Sequence, residues 1–199
     1  VRHLGFDPLL ASDIAALSGS VGWTRTVKSA QETAETSLAA IEAALGPPGR
    51  VASLIIPSDC LWEPGPEPLS VRPSPAPGRT PDDAVEQAAQ LLRKGRGALF
   101  LGGNALSSRG LRAAARAASA TACGVFIETF PSRQERGRHV PDLPALPYFP
   151  EQAREALAKV KNLVLAGARD PVAFFAYPDQ PSRLAPDSAT THTDRKSVV

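Results

Sequence analysis

Apolar positions along this 199-residue chain follow two periods. Short unbroken runs of Val, Ile, Leu and Phe mark strands covered on both faces, while apolar residues recurring every three or four positions mark helices that lay one stripe on a core. Residues 51–56 (VASLII), 98–101 (ALFL), 124–130 (GVFIETF) and 162–167 (NLVLAG) are runs of the first kind, and residues 22–27 alternate and read as a further strand. Residues 29–45 form a helix: Leu38, Ile41 and Leu45 share a face, Ser29 caps it, and Glu32 stands three residues on, as in a capping box. Gly46, Pro47, Pro48 and Gly49 stop it. Ser12 and Asp13 cap a short helical turn through Leu17. Thr80 caps a second long helix with Pro81 in its first turn. Asp82 and Asp83 suit the positive end of its dipole, and Ala84, Val85, Ala88, Leu91 and Leu92 form its apolar face. Ser107 or Ser108 opens an alanine-rich helix through Ala120, and residues 151–160 form another. Residues 131–150 are irregular, and after Asp170 the chain turns polar and rich in proline.

Helices alternating with apolar strands predict an α/β fold with parallel sheets and right-handed crossovers, wound on both faces. Residues 63–81 interrupt the rhythm. Their seven prolines forbid a helix interior and remove ladder donors, so an extended, semi-rigid linker is expected. The expected organisation is therefore two incomplete α/β domains, residues 1–62 and 80–193, joined by a Pro-rich linker at 63–79. The first supplies only strand–helix–strand, too little to close a core, so more chain is expected before Val1. Residues 194–199 (DRKSVV) break the composition of the Thr-rich stretch before them and read as an adapter translated in frame, outside the fold.

Composition narrows the function classes. The formal net charge is +2, and no basic run interleaves with aromatics, which gives nucleic-acid binding no support. No stretch approaches the roughly 20 apolar residues of a membrane-spanning helix. The N-terminus lacks the apolar core of a signal peptide, so a cytoplasmic setting is expected. The chain has no methionine, and as written it has no translation start. Cys60 and Cys123 have neither disulfide nor zinc spacing, and each reads as a buried, reduced thiol.

Candidate chemistry gathers at strand ends. Gly102, Gly103 and Asn104 end a strand and precede a helix, where doubly wound sheets bind ligands. The dinucleotide fingerprint is incomplete: the third glycine and the acidic ribose partner are missing. The turn is open to two readings, a phosphate contact or a tight βα turn. Arg169, after Gly167 and Ala168, could grip a phosphate or carboxylate bidentately, or pair locally with Asp170. Cys60 has no histidine near it in sequence to make a thiolate, and His3, His139 and His192 lack ligand spacing, so no metal site is expected. Asp13 reads as an N-cap. Glu128 and Glu135 flank a loop carrying Arg133, Arg136 and Arg138, which reads as a solvated ion-pair surface.

Longer strings carry a resemblance. Residues 3–14 (HLGFDPLLASDI), Gly22-Trp23-Thr24-Arg25 and Ile55-Ile56-Pro57-Ser58-Asp59 resemble the end of the pyrimidine-binding domain of thiamine-diphosphate enzymes of the acetolactate synthase large-subunit type, with benzoylformate decarboxylase as a relative. Gly102-Gly103-Asn104, Glu128-Thr129-Phe130-Pro131, residues 146–150 (LPYFP) and 167–175 (GARDPVAFF) resemble their central domain. The resemblance implies a parent that uses thiamine diphosphate and magnesium on a 2-oxo acid, as a synthase or as a decarboxylase, and that works as a homodimer or homotetramer. It also implies that the cofactor-activating glutamate and the Gly-Asp-Gly metal motif lie outside these residues, so no catalytic residue is carried over. Where the family holds FAD, Gly102, Gly103, Asn104 and Arg169 match the contact turns. Asp170-Pro171 stands where the flavin-binding members carry phenylalanine and acidic residues after that arginine, which argues against tight FAD binding. Two non-catalytic alternatives stand beside this: a nucleotide-binding module built on the glycine turns, and an α/β interaction protein.

Overall fold

The computed structural model describes residues 3–9, 11–46, 49–70 and 78–193. Pro47-Pro48 of the helix stop, residues 71–77 of the Pro-rich segment and the tail at 194–199 lie outside the described residues. The chain divides into two compact units, Val1–Pro77 and Gly78–Val199.

The N-terminal unit holds helix α1 (Ile14–Gly19), strand β1 (Trp23–Thr26), helix α2 (Thr33–Leu45), strand β2 (Ala52–Ile55) and a short helix α3 (Ser58–Trp62). β1 and β2 pair in parallel, Trp23 opposite Ala52 through Thr26 opposite Ile55, with α2 as the crossover. Asp13 caps α1 as the sequence implied, its Oδ1 accepting from the Ala16 N–H at 2.9 Å. The capping box on Ser29 does not form. Ala30–Glu32 is a tight 3₁₀ turn, the Ser29 side chain makes no cap bond, and α2 starts only at Thr33. The Glu32 carboxylate reaches past Ser29 to the Lys28 N–H at 3.4 Å. Gln31 Nε2 donates to the Pro64 carbonyl at 3.0 Å, which ties the start of the Pro-rich segment to this unit. The apolar burial is thin: among the described residues only Val27, Ala30, Ala40 and Cys60 are buried, while Phe6, Leu9, Leu17 and Trp62 are exposed. Such a unit has little hydrophobic stabilisation of its own.

The C-terminal unit holds α4 (Asp82–Arg93), β3 (Gly97–Leu101), α5 (Ser108–Thr121), β4 (Gly124–Ile127), α6 (Pro150–Leu157), β5 (Asn162–Ala166) and β6 (Thr190–Thr193). Its four strands are all parallel, in the order β4-β3-β5-β6. Alternation along β3 splits the core between the two faces. Ala98 and Phe100 join Leu163, Leu165, Ala153 and Leu157 on one face, the side that receives α6. Leu99 and Leu101 join Val125, Ile127 and Val164 on the other, with Leu92 of α4 and Leu111 and Ala114 of α5. β3 is buried along its whole length, which is why its sequence is an unbroken apolar run rather than an alternating one. This is the expected two-faced α/β architecture.

Three details differ from the sequence reading. Pro81 is the N-cap of α4 rather than a first-turn residue. β4 ends at Ile127, and only the Glu128 N–H continues the ladder, bonded to Leu101 O at 2.9 Å. β6, with the sequence TTHT, is an edge strand that no apolar run announced. Threonine's branched side chain suits a pleated surface, and a strand with one free edge needs no apolar run. The stretch after Asp170 is pinned by Arg183, whose guanidinium donates to Asp170 Oδ2 at 2.8 Å, to Pro186 O at 2.9 Å and to Thr191 Oγ1 at 2.8 Å.

Candidate functional site: the crevice between two strand ends

In the C-terminal unit the chain leaves β3 toward β4 on one side and leaves β5 toward β6 on the other. Such a reversal makes a topological switch point, and ligands of open α/β sheets bind in the crevice outside the carboxyl ends of those strands. Here the crevice is walled by the turns that begin at Gly102 and at Gly167, two of the places the sequence singled out.

Backbone fills it. The Gly102 N–H donates to Ala166 O at 3.0 Å, and Gly102 O accepts from the Ala105 N–H at 3.0 Å. Gly103 and Gly167 are left-handed, with φ of 47° and 66°. A Cβ on Gly167 would lie 2.4 Å from Gly102 O, and one on Gly103 would lie 3.1 Å from Gly167 O. Glycine is needed at 167 because two turns touch there.

Two of the donors that a phosphate would use are occupied by the protein's own carboxylates. Glu128, at the end of β4, folds over the first turn: its Oε1 accepts from the Gly103 N–H at 3.2 Å. A Cβ on Gly102 would meet that carboxylate at 2.8 Å. At the start of α5, Ser107 Oγ accepts from the Gly110 N–H at 3.2 Å. Beside it, Glu135 Oε2 accepts from the Ser108 N–H at 2.6 Å. The Glu135 backbone is itself held, its N–H bonded to Leu106 O at 3.0 Å. Glu128 and Glu135 are thus more than a solvated ion-pair surface, although an exposed Arg133–Glu135 pair at 3.8 Å is present as well. The sequence showed a glutamate within a largely apolar strand run; its reach across to the neighbouring turn is a tertiary fact.

Of the other candidates, Asn104 is exposed and its carbonyl accepts from the Ser107 N–H at 3.3 Å. Arg169 is exposed, and Asp170 pairs with Arg183 rather than with Arg169. Cys60 and Cys123 are free and buried. Among the described residues no group of three or more His, Cys, Asp or Glu side chains is placed to hold a metal ion, and no helix is long and apolar enough to cross a membrane. A depression of about 440 Å³ lies on the irregular loop, lined by Gln134, Arg136, Asp142 and Pro144; none of the crevice glycines lines it. The strings Phe130, Tyr148-Phe149 and Phe174-Phe175 converge into one aromatic cluster. Phe130 stands 5.7 Å from Tyr148 and 5.3 Å from Phe174, ring centre to ring centre and edge to face. The Tyr177 phenol at its end is raised above its ordinary value, by desolvation first and then by Tyr148 beside it.

Solved structures share this architecture. The thiamine diphosphate-dependent 4-hydroxybenzoylformate decarboxylase of Rhodococcus jostii RHA1 matches with a TM-score of 0.71 at 22% identity, over 96% of this chain and 37% of that one. Benzoylformate decarboxylase from Polynucleobacter necessarius matches with a TM-score of 0.69 at 21% identity, over 96% of this chain and 36% of that one. At such identities the likeness is one of fold. No family model matches the chain. A Mycobacterium tuberculosis protein provisionally named acetolactate synthase large subunit IlvX is 42% identical over 192 residues, 96% of this chain and 37% of that protein. In sequence the chain is similar to an acetolactate synthase-like protein, and in fold it is similar to thiamine-diphosphate-dependent enzymes. It spans just over a third of the length of the relatives it matches.

For this family two groups have to be tested against the residues present. Thiamine diphosphate with its divalent metal needs a set of oxygen donors around the metal and the diphosphate, and the described residues offer no such cluster. No residue here is given a role in holding it. FAD would need anion-accepting N–H groups at the Gly102 and Gly103 turn and the start of α5. Glu128 and Glu135 stand on those groups with like charge, so the crevice does not fit FAD.

Proposed function

We propose that these residues are a positioning segment of a thiamine-diphosphate- and magnesium-dependent enzyme that acts on 2-oxo acids by acetolactate synthase-like carboligation. In this reading residues 1–62 are the C-terminal part of the pyrimidine-binding domain, 63–79 the interdomain linker and 80–193 the N-terminal part of the central domain. The observation that carries it is the 42% identity to the acetolactate synthase-like protein, sustained over 192 residues. When bound, thiamine diphosphate supplies the carbanion that attacks the 2-oxo carbon. The part played by this chain is mechanical. The sheet buried on both faces and the carboxylate-braced turns at its carboxyl edge make a rigid central body that holds the flanking catalytic domains in place. The parent is read as a cytoplasmic homodimer or homotetramer.

A second reading, a 2-oxo acid decarboxylase of the benzoylformate decarboxylase type, is favoured by the crevice, because a decarboxylase needs no flavin there. One experiment separates the two. The full-length protein is incubated with thiamine diphosphate, Mg²⁺ and either pyruvate or benzoylformate, and products are resolved chromatographically. Carbon dioxide with a branched 2-hydroxy-3-oxo acid is the expected result. Carbon dioxide with an aldehyde selects the decarboxylase. Equal turnover with and without thiamine diphosphate contradicts both.

A further inference from the structure

We infer that the switch-point crevice of the C-terminal unit is a self-capped, flavin-free site, in which the Glu128 and Glu135 carboxylates replace the phosphate anion that this fold position ordinarily accepts. Four observations meet there. The backbone of the first turn is in contact with that of the second, so closely that a methyl group on Gly167 would lie 2.4 Å from Gly102 O. The Gly103 N–H of the first turn is bonded to Glu128 Oε1. The Ser108 N–H at the first turn of α5 is bonded to Glu135 Oε2 at 2.6 Å. Ser107 Oγ takes the Gly110 N–H of the same helix end.

The electrostatics go one way. A helix N-terminus and a run of turn N–H groups attract an anion because their donors are unsatisfied. Here the Gly103 and Ser108 donors are satisfied, and the groups that satisfy these two carry negative charge. A dinucleotide pyrophosphate would have to displace both carboxylates or sit beside them, and like charges placed together oppose recognition. Arg169, the matching cation, is exposed, and a cation at the solvent edge offsets little of that repulsion. What the carboxylates provide instead is cohesion: Glu128 joins the end of β4 to the turn after β3, and Glu135 joins the irregular loop to the start of α5. The turns after β3 and β4 are therefore braced without a ligand.

The inference rests on the family reading for its choice of probe, and its test is arranged to be separable from that reading. The full-length protein is purified without added flavin and titrated with FAD, followed by flavin fluorescence and absorbance. The Glu128→Gln/Glu135→Gln variant is titrated in parallel. Glutamine keeps an oxygen acceptor for each N–H and removes only the charge, and equal thermal transitions of the two proteins confirm that the fold is kept. The wild type is expected to be colourless and to leave FAD fluorescence unchanged. The double variant is expected to gain FAD affinity by on the order of tenfold or more. Flavin retained by the wild type overturns the inference. A double variant that binds FAD no better than the wild type overturns the role given to the two carboxylates. Thiamine diphosphate-dependent turnover is scored in the same preparation without FAD, so a failure of the family reading shows in that signal and not in the flavin titration.

Discussion

Replacing Gly167 with alanine is expected to cost the C-terminal unit about 3 kcal/mol or more. Two penalties combine. A φ of 66° places the residue in the left-handed region, where an L side chain costs roughly 1–2 kcal/mol. The new Cβ would also lie 2.4 Å from Gly102 O and 3.2 Å from Gly102 C. These are backbone atoms of a turn fixed by the Ala166 and Ala105 hydrogen bonds, so they cannot swing away as a side chain would. Relief would come from parting β3 and β5, the central pair of the sheet. Against a typical domain stability of about 5–15 kcal/mol this is a large fraction. Gly137→Ala is the control: its Cβ would meet only Val140 Cγ2, at 3.9 Å, and a change within about 0.5 kcal/mol is expected. Urea unfolding followed by tyrosine fluorescence reads the result, because Tyr148 and Tyr177 both lie in this unit, whereas Trp23 and Trp62 lie in the other. A Gly167→Ala midpoint equal to that of Gly137→Ala would contradict the turn contact.

The second large effect is expected at Leu163→Ala, with a loss of about 2–5 kcal/mol. Leu163 is fully buried in β5, between β3 and β6, in the cluster with Phe100, Leu157 and Leu184. Truncation removes the transfer energy of its methyl groups and leaves a cavity that two flanking strands prevent from collapsing. Val85 on α4 is 53% exposed, and truncation there is expected to change the midpoint by less than about 0.5 kcal/mol. Comparable losses at the two positions would mean that the core is not where the sheet places it.

Most of the architecture could be read from the chain because its signals are local. The run ALFL at 98–101 is apolar throughout because β3 is covered on both faces, and the Ser107 cap of α5 is a short-range hydrogen bond. What escaped was either polar or long-range. β6 is built from Thr and His and owes its place to pairing with β5. The capping box on Ser29 failed because a tight turn at Ala30–Glu32 shifted the helix start to Thr33. At the candidate site the glycines were visible and their partners were not. Gly102 and Gly167 are 65 positions apart in the chain, and no spacing rule joins them. Glu128 and Glu135 looked like surface charge, because the N–H groups that they accept from belong to turns some 25 residues earlier.

The proposed function places the chain in a thiamine-diphosphate enzyme whose cofactor machinery is held by other parts of the protein. Calorimetric titration with thiamine diphosphate and Mg²⁺ tests it most directly, run on the full-length protein and on the 199-residue chain. Saturable, magnesium-dependent binding to the full-length protein and none to the 199-residue chain is the predicted result. Saturable binding to the 199-residue chain, or none to the full-length protein, would contradict it.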